Sequence, residues 1–325
     1  MQDEPQRIPI ELVGPQPAPW VPAYQLVSSR EPRSVRSLLV AIGLFALTAF
    51  STLAAGAQFA AAYAVNESPG FDRFFSDYFR PFAEPRLFVS GIPFAVTLLG
   101  ILLAHELGHF LACRHYHIRA TYPYFIPAPT LIGTLGAFIR IRSPIFNRRA
   151  LFDMALAGPL VGFLIAVPAL AMAVLFSKVI PGSNASYSFV FGRPLIERLL
   201  ELALRPAVPH AHLLLHPVGR AAWVGLFATA LNLLPAGQLD GGHILYAVVS
   251  ERHRRTSFVV ALLLVPLAVK FWAGWIVWAV LLVTIGFRHP PLIDRWEPLG
   301  QTRRILAGVA LVIFILCFMP APFVV

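Results

Sequence analysis

Apolar residues run along this chain in long blocks, not in the short alternation of a soluble sheet. The blocks are Ser37–Val65, Leu87–Ala112, Ala150–Phe176, Ala221–Val249 and Ile305–Met319. A helix needs about 20 largely apolar residues to cross a ~30 Å hydrocarbon layer, and the first four blocks exceed that. One further block, Phe258–Phe287, would be ~45 Å long as a single helix at ~1.5 Å per residue, too long unless strongly tilted. Pro266, Lys270 and Gly274 lie near its middle, so it reads as two short spans joined by a tight turn around Lys270–Gly274. The pattern predicts an all-α polytopic membrane protein of about seven transmembrane spans.

The positive charges test that count. The chain carries 26 basic residues, 24 of them Arg, and a net charge of +10. With seven spans and the N-terminus inside, 17 basic residues fall in inner segments and 9 in outer ones; a single span over 258–287 would make the split 13 and 13. Basic residues collect on the inner side of a bilayer, which favours two spans. The same bias explains the charge without nucleic acid.

Composition agrees. Apolar residues make up 57% and charged residues 13% of the 325, against about 25% charged in a soluble domain. Mean hydropathy is +0.69. Residues 1–36 are polar, Pro-rich and end in Arg30, Arg33 and Arg36, the expected cytoplasmic disordered tail ahead of a single membrane domain, 37–325. Cys113 and Cys317 are far apart in apolar stretches and give no disulfide framework.

Two connections stand out. Segment 178–220 is an outer loop with an amphipathic stretch at Leu195–Leu204, too short for an inserted globular domain. Segment 113–149 is an inner loop, yet Tyr122–Pro127 and Leu131–Arg140 are apolar, rich in β-branched and aromatic residues and punctuated by Pro127, Pro129 and Gly133. This predicts a membrane-dipping β-hairpin between spans two and three.

The chemistry sits at the end of the second block, in His105-Glu106-Leu107-Gly108-His109. On a helix, residues i and i+4 share a face, so both imidazoles can grip one zinc ion while Glu106 reaches a bound water. Three ionisable groups on an apolar helix are costly without partners. A catalytic site needs a third protein ligand. The candidate is Asp240, in Asn232-Leu-Leu-Pro-Ala-Gly-Gln-Leu-Asp240-Gly-Gly-His243, one of three acids within the apolar blocks beside Glu106 and Asp153. An unpaired Asp there costs ~2.5–3.5 kcal/mol on insertion scales. Pro235 and Gly237 break the helix and free backbone to line a polar cavity. Asn232 suits either an oxyanion donor or an interhelical hydrogen bond. His243 fits a partner of Asp240 or a polar lining. Asp153 reads as structural, and His115, His117, His210, His212, His216, His253 and His289 read as solvated. The Trp272, Trp275 and Trp278 stripe reads as a membrane boundary or packing.

These residues resemble the site-2 protease family of intramembrane zinc metalloproteases. The likeness rests on His105–His109, on Asn232, Pro235 and Leu239-Asp240-Gly241, on Ala157-Gly158-Pro159 and on Gly133-Thr-Leu-Gly136. It covers about half the chain, with a catalytic core at 87–249. The resemblance implies zinc held by His105, His109 and Asp240, Glu106 as general base and proton donor, and Asn232 holding substrate or stabilising the oxyanion. It implies cleavage of peptide bonds in or near transmembrane segments of membrane-protein substrates. An extended substrate is expected to pair with the apolar edge around Gly133–Ile141.

Two other functions compete. A CAAX-type membrane metalloprotease also uses His-Glu-x-x-His, but takes its third ligand from a later Glu-x-x-x-Asp pattern that this sequence lacks. A membrane zinc transporter could use the same three ligands; Glu106 discriminates, because transit does not need a general base. The dominance of Arg over Lys points to a GC-rich bacterial genome. The expected location is a bacterial inner membrane, multi-pass, N-terminus in the cytoplasm, with lipid as the other partner. Oligomeric state is not encoded in these patterns.

Overall fold

In hydrocarbon a backbone amide has no water to bond, so an apolar chain closes its hydrogen bonds within helices. The computed structural model follows that rule. It describes residues 35–67, 74–180, 190–207, 213–285, 292, 294 and 297–324. Of the expected tail at 1–36, residues 1–34 lie outside the described residues and Val35 and Arg36 already belong to a helix; His210, His212 and His289 also lie outside the described residues.

The first block forms α1 (Val35–Ala64). A short helix α2 (Phe74–Ala83) leads to α3 (Leu87–His115), the second block. α3 ends where His117 takes a left-handed φ of 55°. Strands β1 (Tyr124–Pro127) and β2 (Thr134–Phe138) follow, then α4 (Arg148–Phe176). Asn147 caps α4, its side-chain oxygen accepting the Ala150 N–H at 2.9 Å. After β3 (Lys178–Val179) and β4 (Val190–Phe191) comes α5 (Leu195–Leu204), the amphipathic stretch seen in the sequence. Then come β5 (Leu213–Leu214), α6 (Pro217–Asn232), α7 (Asp240–Val249), α8 (His253–Lys270), α9 (Gly274–Ile285), α10 (Gln301–Cys317) and β6 (Phe323–Val324).

Three of these helices, α1, α3 and α4, are long and apolar enough to cross a membrane by length and composition. The block at 258–287 is broken as expected: α8 stops at Lys270, α9 starts at Gly274 and the two pack on each other. Trp275 is fully buried and donates its indole N–H to the Pro320 carbonyl at 2.7 Å, so this member of the Trp stripe is packing. The block at 221–249 is split into α6 and α7 by the loop containing Pro235 and Gly237. Helix α2 and the two-residue ladders β3–β5 and β4–β6 have no counterpart in the sequence pattern.

A β-hairpin stands between α3 and α4, where the strand-like pattern placed one. β1 and β2 pair antiparallel, Tyr124 opposite Phe138 and Pro127 opposite Thr134, with an irregularity before Pro127, which has no N–H to give the ladder. The hairpin rests on α1: Ser51 Oγ donates to the Gly133 carbonyl at 2.6 Å, and Ser37 and Tyr124 hydroxyls meet at 2.7 Å.

α3 packs against α1, α4 and α6, and α4 also holds α6 and α7. Phe94, Leu98 and Trp223 fill one core beside α1; Leu151, Phe152 and Leu226 fill another around α4. Cys113 and Cys317 are free and buried, as expected of core residues.

Candidate metal centre

α3 carries His105 and His109 one turn apart, with Glu106 on the same turn; His105 and Glu106 are each 5% exposed. The break after α6 brings Asp240, the first residue of α7, to the same point. The two His Nε2 atoms are 3.1 Å apart, and Asp240 Oδ2 lies 3.4 Å from His105 Nε2 and 3.3 Å from His109 Nε2. Three donors each ~2.0–2.1 Å from a tetrahedral zinc stand about 3.3–3.4 Å from one another. The observed spacing therefore fits such an ion. Two nitrogens and one oxygen are also the donor types of catalytic zinc. Among the described residues, these three form the only cluster of His, Cys, Asp or Glu that could hold a metal.

Neighbouring elements fix the donors. His109 Nδ1–H donates to the Met154 carbonyl of α4 at 2.7 Å, which leaves the Nε2 lone pair facing the cluster. Gly158, also on α4, leaves the room: a Cβ there would lie 2.1 Å from His109 Nε2. Asn232 ends α6 with its amide nitrogen 3.2 Å from His105 Nε2. The Glu106 carboxylate accepts the backbone N–H of Ile139, just past β2.

A cavity of about 230 Å³ opens onto these groups, lined by Phe138 at the end of β2 and Ile139 just past it, by Asn232, and by Gln238, Leu239 and His243. Its walls mix apolar side chains with a few convergent polar ones, as binding clefts do. The five residues singled out in the sequence, His105, Glu106, His109, Asn232 and Asp240, thus meet at one cavity, and His243 lines it.

Asp153 lies outside it. Its carboxylate takes both Arg303 nitrogens of α10, Nε at 2.8 Å and Nη2 at 2.7 Å, and the Tyr116 hydroxyl, which agrees with a structural role. His253 corrects the sequence reading. Expected to be solvated, it is 2% exposed, its Nε2 3.1 Å from the Gly237 carbonyl. α8 begins there instead of later, so the residue turns inward. The Met154 carbonyl, the space at Gly158 and the Ile139 N–H also went unseen. Only Ala157-Gly158-Pro159 signalled any of them.

A helix-borne His-Glu-x-x-His pair completed by an aspartate from a second helix defines a metallopeptidase class of site. Residues 93–272 match the model of peptidase family M50. The chain belongs to that family, the site-2 protease family. It is 31% identical over 312 residues to the probable zinc metalloprotease EGY1, chloroplastic, of Arabidopsis thaliana, covering 90% of this chain and 55% of that protein. It is 32% identical over 235 residues to EGY1 of Oryza sativa subsp. japonica, covering 67% of this chain and 39% of that protein. It is 31% identical over 251 residues to EGY2 of Oryza sativa subsp. indica, covering 74% and 45%. The chain spans about half or less of the length of these relatives. They are plant proteins named as chloroplastic, which overturns the expected bacterial inner membrane with its cytoplasmic N-terminus. An excess of Arg over Lys is a compositional bias and does not identify a compartment.

Proposed function

We propose that this chain is an intramembrane zinc metalloprotease hydrolysing peptide bonds in or near transmembrane segments of membrane proteins. The observation that carries the reading is the convergence of His105, His109 and Asp240, with donor atoms 3.1–3.4 Å apart, on the turn that bears Glu106. In this reading the three hold zinc. Bound there, zinc supplies Lewis acidity, polarising a carbonyl and acidifying a water. Glu106 takes a proton from the attacking water and returns it to the leaving amine. The Asn232 amide, beside His105, donates to the oxygen that gains charge.

The unit at 37–325 is the protease domain with its core at 87–249, arranged as seven spans with the hairpin dipping into the bilayer. A transmembrane substrate hides its amides in its own helix and must unwind before hydrolysis. β2 offers an edge for the unwound strand, beside the Ile139 N–H that holds Glu106. In this reading peptide and base belong to one structural unit.

The test compares purified wild type with Glu106→Gln and Asp240→Asn against single-span peptides. Glu106→Gln is expected to keep zinc and lose cleavage by a factor of roughly 10²–10⁴, the usual contribution of a positioned acid–base group. Asp240→Asn is expected to lose zinc as well. A Glu106→Gln protein that cleaves at the wild-type rate refutes the reading. Unaltered zinc transport by Glu106→Gln in vesicles, with no cleavage by wild type, would favour a transporter.

A further inference from the structure

Asp240 is the first residue of its helix, so nothing helical precedes it to fix its position. The loop from Leu233 to Leu239 must do so. That loop turns at Gly237, whose φ of 61° is left-handed, a conformation open to Gly without Cβ strain. A turn of this kind exposes an N–H and a C=O that need partners once buried.

Both partners come from one face of α8. Gly237 N–H donates to Ser257 Oγ at 3.0 Å, and His253 Nε2 lies 3.1 Å from the Gly237 carbonyl. The two side chains are four residues apart, one helical turn; His253 is 2% exposed and Ser257 0%. Gly237 in turn abuts the start of α7. A Cβ on Gly242 would lie 2.4 Å from the Gly237 carbonyl, and one on Gly241 2.1 Å from the Leu233 carbonyl. The contacts are continuous from α8 through Gly237 to the turn that carries Asp240.

We propose that His253 and Ser257 are positioning residues for the metal ligand Asp240, acting through both backbone groups of Gly237. The proposal rests on the reading of Asp240 as a ligand. His253 donates from Nε2 to the carbonyl, and Ser257 accepts from the amide, so the loop is held in one orientation about the left-handed turn. Outer partners of this kind change metal affinity by about 10–100-fold when removed.

The experiment measures Co²⁺ and Zn²⁺ affinity of the purified full chain by chelator competition, with the Co²⁺ ligand-field spectrum and the melting temperature of the metal-free protein. Ser257→Ala and His253→Leu are each expected to weaken binding by roughly 10–100-fold and to shift the spectrum. Ser257→Thr keeps the hydroxyl and is expected to restore both. The deciding measurement repeats Ser257→Ala in an Asp240→Ala background. There the serine has no ligand to position, so it is expected to cause no further loss of affinity. An equal loss in both backgrounds overturns the proposal, as do wild-type affinity and spectrum in folded Ser257→Ala and His253→Leu. Full wild-type affinity in Asp240→Ala alone overturns the ligand reading beneath it, and is distinguishable because it needs neither clamp variant. If Ser257→Ala does not fold, His253→Gln against His253→Leu decides by the same readouts: equal losses overturn the proposal, and retention by Gln supports it.

Discussion

Adding one methyl group at Gly158 is expected to remove metal binding while leaving the fold intact. The new Cβ would sit 2.1 Å from His109 Nε2, 2.5 Å from Cδ2 and 2.5 Å from Cε1. Ordinary contact begins at about 3.4 Å, so the ring must retreat by about 1.3 Å. It cannot retreat and remain a ligand, because its Nδ1–H is fixed to the Met154 carbonyl at 2.7 Å and metal–ligand distances hold to about ±0.2 Å. For the fold the cost is small: one lost hydrogen bond, about 0.5–1.5 kcal/mol net, and an off-rotamer ring, about 0.5–1.5 kcal/mol. For catalysis it is large, since a misplacement of about 1 Å costs ~10²-fold. Gly158→Ala is therefore expected to cleave single-span peptides at least ~100-fold more slowly and to purify without stoichiometric zinc. Its metal-free melting temperature should stay within a few degrees of wild type, because 1 kcal/mol shifts a large domain by about 2–4 °C. Metal content by elemental analysis, with thermal unfolding in chelator, checks it. Wild-type zinc content in Gly158→Ala would refute the argument that this glycine exists to admit His109.

The pairing of Asp153 with Arg303 and Tyr116 ties α10 to the ends of α3 and α4. Asp153→Asn is expected to cost about 1–3 kcal/mol, because it weakens charge-assisted bonds to a partly buried group; thermal unfolding of Asp153→Asn, Arg303→Gln and the double variant should show a coupling between them. Glu197 on α5 is 2% exposed with one carboxyl oxygen unpartnered. Burial pushes its carboxyl up to about 8, with the nearby Arg220 opposing. The folded chain holds this proton more tightly than the unfolded one, so its stabilising effect is complete below the ordinary value near 4.5 and is lost as pH rises through 8. Glu197→Gln should flatten the fall in melting temperature between pH 4.5 and 8; an unchanged slope would refute it.

The parts of this molecule that were legible in the sequence are those that residue type encodes. Apolar block length gave α1, α3 and α4, and the charge count argued for breaking the block at 258–287. The His105–His109 spacing is a helical turn, and an acid in an apolar block demands a cation, so four of the site's side chains could be named together. What stayed hidden was made of backbone. The Met154 carbonyl that orients His109 and the Ile139 N–H that holds Glu106 carry no mark of residue type. His253 and Ser257 were hidden differently: a polar pair at a predicted helix boundary reads as solvated until the packing of the Gly237 loop against α8 is known.

The broken helix between α6 and α7 explains why Asn232 and Asp240 can both serve one site. On a continuous helix, residues eight apart are separated by about 12 Å along the axis at ~1.5 Å per residue. No single imidazole nitrogen could then meet both. In the structure His105 Nε2 is 3.2 Å from the Asn232 amide nitrogen and 3.4 Å from Asp240 Oδ2. Pro235 has no N–H to continue α6, and Gly237 turns the chain left-handed, so the second segment starts afresh with Asp240 at its N-terminus. There the free amides and the positive end of the helix dipole favour a carboxylate. The break places the amide and the carboxylate on opposite sides of one turn of chain, both facing α3. The cost is a short loop whose backbone groups lack regular helical partners in an apolar setting, and Ser257 and His253 from α8 meet those of Gly237.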